Sequence, residues 1–102
     1  MSATVSLRDE LINAEKPVLV KFGSPTCRPC SLMIPIMEEF AKKYEGQVIV
    51  KEISIFDDME LAKEYQVRAV PTIILLKKGK AEKEYVGYMD LDKLEEMFVP
   101  LF

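Results

Sequence analysis

Cysteine occurs only twice in this 102-residue chain, and the two are three positions apart in Cys27-Arg28-Pro29-Cys30. The pair directly follows a strand-like run and opens a helix-like one, which constrains the fold more than any other feature. Adjacent turns of one helix bring two such sulfurs within bonding range. A helix N-terminus also carries about half a positive charge from its unpaired N–H groups. That charge favours thiolate over thiol, and the thiolate is the species that attacks a disulfide. A Cys-x-x-Cys beside a βαβ pattern is therefore a signature of dithiol redox chemistry.

Other chemistries are poorly served. Tetrahedral zinc takes four ligands, commonly Cys or His, and the chain has two cysteines and no histidine. Only a dimer sharing two such pairs would complete a site, so we expect no metal. Apolar residues make up 49% and charged residues 30%, the balance of a folded chain that buries one core as a single domain over residues 1–102. The net charge of −3 comes without a basic stripe, which argues against nucleic acid. The longest apolar runs, such as Thr72–Leu76, are far too short to cross a bilayer. Met1-Ser2-Ala3-Thr4 begins no secretory pattern, so a reducing cytoplasmic setting is expected. There, close cysteines act in catalysis or metal binding rather than as structural staples.

Periodicity predicts the elements. Ser6-Leu7-Arg8-Asp9 resembles a capping box, opening a helix through about Ala14. Val18–Phe22 is a short apolar strand, and Gly23-Ser24-Pro25-Thr26 is the loop that delivers Cys27. From Arg28 to about Tyr44, Met33, Ile36, Met37, Phe40, Ala41 and Tyr44 recur at helical spacing, with Pro35 expected to kink the helix. Glu45-Gly46 closes it, and Val48–Ile55 is a β-branched strand parallel to the first. Asp57 or Asp58 caps a short helix carrying Leu61, Ala62 and Tyr65. Thr72–Lys77 and Ala81–Val86 form a hairpin about Lys78-Gly79-Lys80, and Asp90 caps a last helix ending near Pro100. Met33, Met37 and Met97 read as core, and Met59 and Met89 as exposed loop residues. Asp57-Asp58 reads as a cap rather than a metal ligand, and Lys77-Lys78-Gly79-Lys80 as a solvated turn.

From Pro17 to Phe98 the chain resembles the thioredoxin family. The likeness is carried by Val18–Phe22 with Pro25-Thr26-Cys27-Arg28-Pro29-Cys30, by Pro35, by Glu60-Leu61-Ala62 with Tyr65-Gln66-Val67-Arg68-Ala69-Val70-Pro71-Thr72, by the Lys78-Gly79-Lys80 turn and by Gly87. It implies an α/β thioredoxin fold: a mixed sheet of four or five strands, the fifth at the N-terminus, flanked by four helices. It also implies that Cys27 is the exposed attacking thiol, that Cys30 is the more buried resolving thiol, and that the Val70–Pro71 bond is cis. Thr26, Arg28, Pro29, Val70, Pro71 and Gly87 would line the groove that receives a disulfide-bearing peptide. A proline there removes a donor N–H beside the sulfurs and leaves the Val70 backbone free to pair with an extended substrate.

Three departures from the family pattern bear on chemistry. Gly23 and Thr26 stand where the family usually has tryptophan, and the chain has none. Lys21 stands where the family usually has a buried aspartate, and Glu52 where it usually has the accompanying lysine, so the charges are exchanged. One expectation is that Lys21 and Glu52 pair beneath the cysteines, Glu52 taking the proton of Cys30 through water. The alternative is that both side chains reach solvent at strand ends and Cys30 loses its proton to water. Arg28 replaces the usual glycine. Its charge should make Cys27 at least as acidic as the family's attacking thiol, unless solvent screens it.

The resemblance implies a protein-disulfide reductase that carries electrons in its own dithiol, needs no bound cofactor and acts as a monomer. Its partners would be protein disulfides and a thioredoxin reductase or equivalent flavoprotein. Two other readings stay open: a dedicated or isomerase-like exchanger with a less reducing couple, and a thioredoxin-fold binding module regulated through its cysteines.

Overall fold

The structure is a computed structural model that describes residues 7–102. Ser6, on which the capping-box reading depends, and any additional N-terminal strand lie outside the described residues. In chain order the elements are α1 (Leu7–Asn13), β1 (Val18–Gly23), α2 (Arg28–Lys43), β2 (Ile49–Ser54), α3 (Met59–Glu64), β3 (Thr72–Lys77), β4 (Lys80–Val86) and α4 (Leu91–Phe98), closed by a 3₁₀ turn at Val99–Leu101. Among the described residues the sheet has four strands in the order β2-β1-β3-β4, with β1 parallel to β2 and antiparallel to β3. The mixed α/β architecture expected from the sequence is therefore present.

Side-chain alternation divides the core between the two faces of this sheet. Leu19, Ile73 and Leu75 point to one face, where Met33, Met37 and Phe40 of α2 and Leu94 and Phe98 of α4 cover them. Val18, Val20, Phe22, Ile74 and Leu76 point to the other, against Leu11 of α1 and Leu61 and Ala62 of α3. The central strands β1 and β3 are covered on both sides, which explains why they read as mostly apolar runs, interrupted in β1 by Lys21, rather than as alternating ones. Burying each large aliphatic or aromatic side chain contributes roughly 1.5–3 kcal/mol. Met89 belongs to this core at 2% exposure, against the expectation of an exposed loop residue. It precedes the α4 cap, and docking of α4 on the sheet turns it inward. Met59 is exposed.

The element ends follow local chemistry. Asp58, rather than Asp57, caps α3 by accepting from the Leu61 N–H at 3.0 Å, and Asp90 caps α4 by accepting from the Lys93 N–H at 2.9 Å. The β3–β4 loop has only two residues, because Lys80 already pairs with Lys77. Lys78 (φ 54°) and Gly79 (φ 81°) both take left-handed conformations, the geometry of a tight hairpin turn that matches strand twist. Gly79 is doubly constrained, since a Cβ there would sit 2.7 Å from Cγ1 of Ile12. α2 runs continuously through Pro35.

Candidate active site

The loop leaving the end of β1 brings Cys27 to the N-cap of α2. Its sulfur accepts the Cys30 N–H at 3.2 Å, and the two sulfurs are bonded to each other. The first turn of α2 holds no acidic residue, so the helix itself supplies no carboxylate to offset its positive end. An N–H donated to a sulfur favours the thiolate form over the thiol, which is the chemistry this position offers. Cys27 is half-buried, whereas Cys30 is 3% exposed, which separates an accessible sulfur from a protected one. Thr26, Arg28 and Pro29 are exposed around the pair.

The remaining groove residues converge on the same end of the sheet. Thr72, first residue of β3, is in register with Phe22 at the end of β1 and with Val86 at the end of β4. Pro71 and Gly87 therefore flank the strand ends from which Cys27 departs. The Val70–Pro71 bond is cis. The Pro71 carbonyl accepts the Gly87 N–H at 2.8 Å, and the Thr72 hydroxyl donates to the Ala69 carbonyl at 2.6 Å. Among the described residues the Val70 backbone N–H and C=O have no backbone partner, so both remain available to an extended chain.

Beneath the dithiol, Lys21 and Glu52 are register partners on β1 and β2 and share the sheet face that α2 covers. Their side chains meet at 2.8 Å between Nζ and Oε1. Lys21 is 4% exposed, so it does not reach solvent, and its ammonium also donates to the Cys30 carbonyl at 2.9 Å. An ammonium buried without acceptors would cost several kcal/mol, and these two oxygens are its compensation. The Glu52 side chain is 31% exposed and remains partly hydrated.

A cleft of about 320 Å³ opens beside this pair, lined by Lys21, Gly23, Cys30, Ile34, Glu52 and Asp57 among others. Gly23 lines it without a side chain, and a Cβ there would crowd Cys30, 3.2 Å from its Cβ and 3.3 Å from its Sγ. In the sequence, Gly23 stands out only as a missing aromatic and Asp57 only as a cap. The alternation of β1, with Leu19 and Lys21 on one face, was the available signal that Lys21 lies under α2.

A mixed sheet with a cysteine pair at a helix N-terminus and a proline before the facing strand defines a thioredoxin-like α/β domain. A family model described as Thioredoxin matches residues 2–99, and the chain belongs to the thioredoxin family. It is 39% identical over 88 residues to a protein named "Thioredoxin, mitochondrial" from Mus musculus, covering 86% of this chain and 53% of that protein. It is 35% identical over 97 residues to "Thioredoxin" from Alicyclobacillus acidocaldarius, covering 91% and 92% respectively. "Thioredoxin 1" from Nostoc is 33% identical over 92 residues, with 85% and 86% covered. The chain thus spans about half the length of the mitochondrial relatives it matches. No helix among the described residues is long and apolar enough to cross a membrane.

Proposed function

We propose that this protein reduces protein disulfides through Cys27 and Cys30. The Cys27 thiolate attacks one sulfur of a substrate disulfide; a Cys27–substrate bond forms and the other substrate sulfur leaves as a thiolate that takes up a proton. Cys30 then loses its proton and attacks Cys27. The mixed disulfide breaks, the second substrate thiolate departs, and Cys27–Cys30 is oxidised. Two electrons pass from the dithiol to the substrate, so the chemistry requires no bound cofactor. A thioredoxin reductase or equivalent flavoprotein restores the dithiol, in a reducing compartment and with the protein as a monomer.

One observation carries this reading: the Cys27 sulfur occupies the N-cap of α2 and accepts the Cys30 N–H, so the attacking sulfur sits on the positive helix tip. The Val70 backbone, without a backbone partner among the described residues, supports an extended substrate laid beside it. The test is reduction of insulin with a chemical reductant as electron source. Turnover by the native chain, its loss in Cys27→Ser and accumulation of a mixed disulfide in Cys30→Ser are expected. Absence of turnover in the native chain would shift the reading to a binding module regulated through its cysteines.

A further inference from the structure

Among the described residues Lys21 is the only buried charged one, and its place is specific. It projects from β1 toward the first turn of α2, where its ammonium joins the Cys30 carbonyl at 2.9 Å to Oε1 of Glu52 at 2.8 Å. The Cβ position at Gly23 lies 3.3 Å from Cys30 Sγ and 3.7 Å from Lys21 Cε, so the sulfur and the end of the lysine chain border the same small space beside Gly23. Glu52, in contrast, meets the ammonium, and Cys30 meets the same ammonium; the cation bridges the two.

Taking the dithiol chemistry proposed above as given, we infer that the buried Lys21 ammonium governs the ionisation of the resolving thiol Cys30, acting as a fixed positive charge rather than through a carboxylate base. A cation near a thiol favours its thiolate, and burial strengthens the effect by limiting the water that would screen it. Lys21 thus lets Cys30 release its proton directly to water in the adjoining cleft. The resulting thiolate attacks Cys27 Sγ, the Cys27–Cys30 bond forms, and the Cys27–substrate bond breaks with its electron pair leaving on the substrate sulfur. Glu52 restrains Lys21 and partly offsets its charge, which makes it an attenuator of the effect.

The other charges around Cys30 do not alter the sign. Glu52 and Asp57 line the cleft from β2 and the loop after it, but the Glu52 side chain is 31% exposed and Asp57 is exposed, so water screens both. Arg28 on α2 is exposed and adds positive charge. Val70 and Pro71, before β3, carry none. The same cation stabilises the reduced, ionised dithiol, so the couple becomes less reducing than it would be without Lys21.

The direct test leaves Cys30 as the single thiol, in Cys27→Ser, and titrates thiolate absorbance. This needs no substrate, so its failure is separable from failure of the disulfide-reductase reading. Adding Lys21→Met is expected to raise the Cys30 midpoint by about one pH unit. Adding Glu52→Gln is expected to lower it, because the ammonium loses its counter-charge. A midpoint unchanged or lowered by Lys21→Met, or unchanged or raised by Glu52→Gln, would overturn the inference. In the dithiol protein, the pH profile of mixed-disulfide resolution should move the same way for each substitution; a slowed reaction in Glu52→Gln would make the carboxylate the base. Thermal melts accompany each variant, and the Glu52→Gln arm decides the matter should Lys21→Met fail to fold.

Discussion

The Gly87 N–H donates to the Pro71 carbonyl across 2.8 Å, tying the residue after β4 to the residue before β3 beside the dithiol. Gly87 makes this bond at φ 119°, where a side chain is strained. We expect Gly87→Ala to destabilise the protein by about 1–2 kcal/mol in denaturant melts. It should also lower kcat/KM for a protein disulfide more than for a small one, since the groove wall shifts while the sulfurs stay. Equal losses on the two substrates would remove Gly87 from the groove.

Gly23→Ala tests whether the cleft depends on that residue. The added methyl would sit 3.2 Å from Cys30 Cβ and 3.3 Å from its sulfur, which crowds the resolving thiol. Overpacking of this kind costs about 1–3 kcal/mol, and the lower end is expected here because one side of Gly23 faces the cleft. Chemical denaturation of the oxidised protein measures it; a neutral effect would mean that the helix start moves aside freely.

Arg28→Gly should raise the titration midpoint of the Cys27 thiolate by a fraction of a pH unit. Arg28 follows Cys27 in the chain at the start of α2, and its exposure lets water and salt screen its charge. The shift should shrink further at high ionic strength. A salt-independent shift would point to altered loop geometry instead.

Phe40 is fully buried on α2 and packs against Tyr44, with ring centroids 4.8 Å apart and the rings tilted by 41°. It joins the α2 core to the C-terminal segment through an edge contact with Phe102. Phe40→Ala should cost about 3–5 kcal/mol, combining lost burial with the cavity left behind. Urea unfolding of the reduced protein is the cleanest reading, because the disulfide is then absent from both states.

Glu95 gives the fold an acid-sensitive element far from the sulfurs. Hydrogen bonds from Lys43 and then Tyr44 hold its carboxyl below the usual carboxylate value. A folded-state pKa below the unfolded one adds stability that is complete above the unfolded value and is lost as pH falls through the folded one. In Glu95→Gln this part of the acid loss should vanish from melts taken between neutral pH and the acid limb. An unchanged acid limb would show that the pair contributes no net stability. Exposed pairs often contribute little, so a small effect is expected.

The elements whose information is local were legible in the residues. The three- and four-residue recurrence of Met33, Met37 and Phe40 placed α2, the Asp90 cap placed α4, and the glycine turn placed the hairpin. The spacing of Cys27 and Cys30 after an apolar strand placed the dithiol on a helix start. What pairs with what across the sheet was decided only in three dimensions. Lys21 and Glu52 are distant along the chain, and an opposite-charge pair was only one of two outcomes their positions allowed. Parallel register brought them opposite each other on the face under α2, and packing of that helix set the Cys30 carbonyl against the ammonium. Met89 was misread for the same reason, since its burial comes from the docking of α4 rather than from its own neighbours. Periodicity specifies how a segment turns its side chains. Which charge comes to rest beside a sulfur depends on contacts between segments, and those form only when the whole core closes.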